Sequence, residues 1–229
     1  MFKSIKLPRI LHYTFFLKSE LERMLILSVA FSVGLNLFRT VYTGSTTFLF
    51  LLWNLFLAII PYFISRNLLR SPAWIESKWK FWFVFTCWLL FVPNSFYILT
   101  DLFHLRERPE VPLWFDLALI FSFAWNGLLL GILSVRQMEK IVMVKFGWQH
   151  EALFLVPIMF LNALGVFIGR YLRYNSWDVL TNPFALASDI IYMSIHPVRN
   201  RFDWSMIVCF TLLLLFIYGS VKKASRAVW

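Results

Sequence analysis

An aspartate and a histidine three residues apart, Asp101 and His104, close an apolar run long enough to cross a bilayer. They continue a polar stripe that starts inside the run with Asn94 and Tyr97. At about 100° per residue, these four positions fall within about 80° of one helix face. A neutral imidazole beside a carboxylate can act as a general base, with the carboxylate orienting the ring. The same Asp-x-x-His spacing sets two metal-ligating side chains one turn apart, with Asp116 or Asp178 as a third donor. A metal stays an open question, because the chain has no His-x-x-x-His or His-Glu-x-x-His, and His12, His150 and His196 lie elsewhere. Arg170 and Arg173 bring a different chemistry, since guanidinium forks hold phosphate or carboxylate through paired hydrogen bonds. There is no Gly-rich phosphate loop, nucleophile elbow or Ser-x-x-Lys to name a reaction.

The elements that must position these groups are membrane helices. The chain has 229 residues, is 60% hydrophobic and only 15% charged, and has a mean hydropathy of +0.69. Soluble domains carry about 25% charge, so this composition excludes a water-soluble globule. Apolar runs at 24–43, 46–65, 81–101, 113–135, 152–170 and 204–221 each approach the length needed for a hydrocarbon core of about 30 Å. They lack barrel alternation, so helices are the solution that satisfies the backbone in lipid. The expected fold is an all-α polytopic bundle of about six transmembrane helices (24–221). It is flanked by a basic interfacial segment (1–23) and a short tail (222–229). In the long fifth loop, Asn182 and Pro183 read as N-cap and first residue of a helix reaching about Ile195, too short to span.

Charge sets orientation. The N-terminus, the second and fourth loops and the C-terminus hold 15 Lys and Arg, against 7 on the other side. The positive-inside rule then puts both termini in the cytoplasm and the Asp101/His104 end outside. The net charge of +10 is read as orientation and anionic-lipid contact, with no nucleic-acid partner. The first apolar run is too long for a signal-peptide core, and no cleavage site follows it, so the N-terminus is expected to be kept. Cys87 and Cys209 lie within spans, and no disulfide is expected.

Other spans carry stripes too. Ser28, Ser32, Asn36, Arg39 and Thr43 share one face of the first. Thr47, Asn54, Pro61 and Ser65 share one of the second. Asp116, Asn126, Gly127 and Gly131 lie on one side of the fourth. Asn162, Gly165, Gly169 and Arg173 line up on the fifth, where Gly165-x-x-x-Gly169 permits close helix contact. The economical arrangement has helices one to five converging on a shared polar interior, with helix six peripheral. The competing reading is structural: small and amide residues as interhelical glue, and charges as ion pairs fixing helix ends.

The series Pro93-Asn94-x-x-Tyr97-x-x-x-Asp101-x-x-His104, then Trp125-Asn126-Gly127, then Gly169-Arg170-x-x-Arg173-x-Asn175-Ser176-Trp177-Asp178 resembles the bacterial membrane family called domain of unknown function 1361, over about residues 45–200. The resemblance implies a multi-pass protein of a bacterial cytoplasmic membrane and no assigned activity. The expected site is an outward-facing pocket near the bilayer surface. Asp101, His104 and Asp116 are its candidate catalytic groups, and Asn94, Tyr97, Asn126, Arg170, Arg173, Asn175 and Asp178 its ligand contacts. It would bind or act on an anionic lipid or small anion. A small-solute transporter and a non-catalytic assembly protein are the alternatives. Cofactor, metal and oligomeric state stay open.

Overall fold

The computed structural model describes residues 8–148 and 150–227. Six of its helices are long and apolar enough to cross a membrane, which makes the chain a multi-pass membrane protein in contact with a lipid bilayer. In order, the main elements are α1 (Pro8–Thr43), α2 (Phe50–Leu69), a short α3 (Pro72–Glu76), α4 (Lys78–Tyr97), α5 (Leu113–Phe146), α6 (Ala152–Phe167), α7 (Asp178–Thr181), α8 (Pro183–Ile195) and α9 (Arg201–Ala227). Residues 1–7 of the expected interfacial segment lie outside the described residues, and from Pro8 onward it continues into α1 without a break.

The spans alternate in direction, as shown by ties at both ends. At one end, Glu22 of α1 meets Arg66 of α2 at 2.5 Å, and Lys222 of α9 meets Glu151, at the N-terminus of α6, at 2.5 Å. At the other, Arg39 of α1 meets Asp116 of α5. Helix α5 is the most enclosed span, while α1 and α9 are the least. The expectation of one peripheral helix is therefore corrected to two: α1 flanks α5, and α9 flanks α6.

Apolar packing joins the bundle in two main clusters. One gathers Trp88, Phe96, Met138 and Met159 from α4, α5 and α6, with Leu214 and Tyr218 of α9. The other gathers Leu51 and Leu55 of α2 with Leu119 and Phe123 of α5. Close approach depends on missing side chains. A Cβ on Gly127 would lie 2.7 Å from the Ser95 carbonyl oxygen, and one on Gly165 would lie 2.7 Å from the Pro93 ring. Small residues at these crossings let helices pack in a medium that gives no hydrophobic drive for association.

Two span boundaries depart from the sequence expectation. Helix α5 runs past residue 135 to Phe146. In this extension Met138, Glu139, Ile141 and Val142 are still buried, and the left-handed Gly147 (φ 65°) ends the helix. Helix α4 stops being α-helical after Tyr97 and tightens into a 3₁₀ turn over Ile98–His104. The stripe from Asn94 to His104 therefore crosses a change of pitch, and its later members do not lie where a uniform 100° step would put them.

Candidate functional site

Helix α4 forms the floor of a cavity of about 730 Å³, within the range of small-molecule sites. Leu89, Leu90, Pro93, Asn94 and Tyr97 line that floor. Trp53, Asn54 and Leu57 of α2 stand on one side, and Leu161, Leu164 and Gly165 of α6 on the other. The strap from Tyr174 to Ser176, with Leu186 and Ile190 of α8, covers one end. His104, Arg170 and Arg173 line the cavity, and among the described residues no carboxylate does.

Backbone irregularity aims the arginines. After Phe167 the chain widens into a π turn over Ile168–Leu172, then places Arg173 in the left-handed region at φ 61°. Among the described residues Arg173 is the one non-glycine at positive φ. Such a conformation costs on the order of 1 kcal/mol and persists where the surroundings over-determine it. A Cβ on Gly169 would lie 3.3 Å from the Tyr97 ring, so glycine keeps this turn against α4.

Arg170 is held on several sides. Its Nη2 donates to the Thr100 carbonyl and faces His104 Nδ1 at 3.3 Å, and its Nη1 donates to the Tyr97 hydroxyl at 3.3 Å. The guanidinium lies over the Tyr97 ring at 5.3 Å and the Phe103 ring at 5.6 Å. Arginine only donates, so a His104 Nδ1 without hydrogen would accept from it, whereas an Nδ1 with hydrogen would donate to the Asp101 carbonyl, also 3.3 Å away. The role of this nitrogen follows the tautomer. The Tyr97 hydroxyl, accepting from Arg170, keeps its own hydrogen to donate.

Asp101 stands behind this wall. It is fully buried, accepts a hydrogen bond from Asn54 Nδ2 at 2.8 Å through Oδ2, and lies 3.5 Å from Arg170 Nη2 through Oδ1. Oδ1 has no hydrogen-bond partner among the described residues. Asp101 is therefore placed to orient Arg170 rather than to touch a cavity occupant. Arg173 lines the cavity with no side-chain partner among the described residues. Asn94 donates to the Ser176 hydroxyl at 2.8 Å, which ties α4 to the strap.

The remaining candidates lie in separate places. Asp116 is captured by Arg39, whose Nε and Nη2 reach Oδ1 at 2.6 Å and Oδ2 at 3.2 Å, and by Arg108 Nη1 at 3.1 Å. Both guanidiniums lie over the Phe48 ring, at 4.5 and 4.7 Å. The expected single hollow containing Asp116 is thus corrected, because α5 turns that carboxylate toward α1. Asn126 donates to Ser32 Oγ at 2.8 Å and to the Ser28 and Ser122 carbonyls, joining α1 to α5. Asp178 accepts from the Asn175 backbone N–H at 2.5 Å and from the Thr181 hydroxyl at 3.0 Å. Those bonds, the backbone one first, hold its carboxyl below the usual aspartate range. Asn175 lines the cavity, while Asp178 braces the strap behind it. Among the described residues, no three His, Cys, Asp or Glu side chains are grouped to hold a metal ion.

Two contributors escape sequence reasoning. The Asn54 amide stands in the sequence as one member of a stripe on α2, and its partner sits 47 residues away. The Thr100 carbonyl carries no distinctive sequence signal, while Ser176 falls inside the Asn175-Ser176-Trp177-Asp178 run without a role of its own. At the opposite end, Glu139 is buried and accepts from the Tyr218 hydroxyl and from Lys222 at 2.5 Å, fixing α9 to α5. A glutamate on the inward face of a helix that outlasts its apolar run was the available clue.

No curated protein and no solved structure matches the chain. The family described as "Protein of unknown function (DUF1361)" matches residues 53–217, a stretch that contains α4, α5, α6 and every residue lining the cavity. The chain belongs to that family.

Proposed function

We propose that this cavity binds an anionic ligand, with Arg170 and Arg173 as its anion-holding groups and the His104 ring and the Tyr97 hydroxyl as further polar contacts. The observation that carries this reading is Arg173, a guanidinium on the cavity wall with no side-chain partner among the described residues, in a lining that includes a second arginine and no carboxylate. Guanidinium forks match phosphate and carboxylate oxygens. Asp101 and Asn54 act behind them as positioning residues. Behind the floor, α4 buries Trp88 and Val92, and the Trp88 indole N–H donates to the Ser134 hydroxyl of α5 at 2.7 Å. The charge bias puts this end of the bundle on the outer side of a membrane whose cytoplasmic side holds both termini.

The test is thermal unfolding of the purified protein with a short-chain phosphatidate, a short-chain phosphatidylcholine and inorganic phosphate. The phosphate-bearing anions should raise Tm in a concentration-dependent way and phosphatidylcholine should not. Arg173→Ala should remove the rise while leaving the ligand-free Tm within a few degrees. A rise of equal size in Arg173→Ala, or none with any anion, overturns the reading.

A further inference from the structure

The cavity is not sealed along its flank. Trp53 on α2 and Leu161 on α6 both line it, and both are exposed, at 53% and 38%. Between them run Leu89, Leu90 and Pro93 of α4. From Leu89 to Tyr97 the floor rises about 12 Å at about 1.5 Å per residue. The result is an apolar trough parallel to a membrane-spanning helix, capped by Arg170 and Arg173 at one end and covered there by α8. In a bilayer the exposed edges of that trough face acyl chains. A water-soluble anion would need the charged end and no trough.

We propose that the occupant is an anionic phospholipid with an exposed phosphate charge, such as a phosphomonoester lipid, taken up sideways from the surrounding leaflet between Trp53 and Leu161. Its phosphate lies between Arg170 and Arg173, and a chain lies along Leu89, Leu90 and Leu164. The charge of the cap and the apolar wall are complementary to the two ends of such a molecule, and the trough is continuous with the anion pocket. The proposal rests on the anion-binding reading above and adds the class of ligand and its route.

The experiment places the full chain in phosphatidylcholine bilayers containing a few mole per cent of phosphatidate with a photoreactive group in its acyl chain. Photoreactive phosphatidylcholine serves in parallel. The phosphatidate probe should label peptides of α4 and α6 that line the trough several-fold above the phosphatidylcholine probe. The label on α1 and α9 should be the same for both probes. Leu161→Trp, at an exposed position where packing is not at stake, should lower the phosphatidate label several-fold, and so should Arg173→Ala. Equal labelling by the two probes, or labelling that leaves the trough clear, overturns the lipid assignment. A Tm rise with inorganic phosphate and no trough label would leave the anion pocket standing and the lipid assignment refuted. No anion response of either kind refutes both.

Discussion

Two buried aspartates near the same end of the bundle meet arginines with opposite outcomes. Asp116 is saturated: two guanidiniums reach its carboxylate at 2.6 to 3.2 Å, and both cover the same phenylalanine ring. Asp101 is not, because its nearest arginine nitrogen stands at 3.5 Å, an amide occupies its other oxygen, and one oxygen keeps no hydrogen-bond partner. The first set links α1, α5 and the loop before α5, and none of its three residues lines the cavity described above. The second leaves positive charge facing a hollow. Equal residue types thus serve a staple in one place and a receptor wall in the other, and what separates them is whether both carboxylate oxygens accept hydrogen bonds and whether the arginine lines the cavity.

The largest effect that would break this comparison is at Asp116. Asp116→Ala strands two guanidiniums, one of them almost wholly buried, and should cost about 3–5 kcal/mol of stability, as for other buried pairs that lose one partner. Asp101→Asn keeps a side chain of the same shape beside Asn54 and should cost less, about 1–2 kcal/mol. Denaturant or thermal unfolding in detergent orders the two, and a reversed order would remove the distinction between staple and wall. Arg173→Gly has the opposite sign. Glycine relieves the positive φ, so stability should rise by up to about 1 kcal/mol while phosphatidate binding falls at least tenfold. A loss of stability together with retained binding would show that Arg173 belongs to the frame.

The smallest effect is on the strap that covers the charged end. The Tyr174 hydroxyl donates to Asp189 at 2.9 Å, and this bond, followed by burial and the Asp189 charge, raises its pKa. Its contribution is therefore complete below about pH 10 and is lost as pH rises through the raised value. Asp178 has the opposite shift, so its contribution is complete above about pH 4 and is lost as pH falls through its lowered value. A spin label on exposed Ala187 of α8, with Cys87 and Cys209 replaced by serine, should be most restrained between those limits and more mobile beyond either. Mobility that does not change on going beyond either limit would show that neither bond holds the strap.

The architecture was legible in the sequence because bilayer thickness imposes a length on every span and the runs are uninterrupted. The helix at Pro183–Ile195 was legible from Asn182 and Pro183, although Asn182 caps without a side-chain hydrogen bond. The pairing of the charges was not. Which side of α5 Asp116 presents depends on the rotation of α5 against α1, and span-by-span periodicity does not encode relative rotation. The positions of Asp101 and Arg170 depend on a 3₁₀ turn and a π turn, each of which changes the angular step that the stripe argument assumed. Gly165 and Gly169 were recognisable as contact residues, whereas their partners Pro93 and Tyr97 are set by tertiary packing.

The most direct measurement is native mass spectrometry of the protein released from bilayers containing phosphatidate and phosphatidylcholine. It should compare the unaltered chain with Arg173→Ala and with Arg108→Ala, which removes an arginine from the other aspartate. Phosphatidate should be retained on the unaltered chain and on Arg108→Ala, and lost from Arg173→Ala. Equal retention by all three, or a loss from Arg108→Ala as deep as from Arg173→Ala, would contradict that expectation.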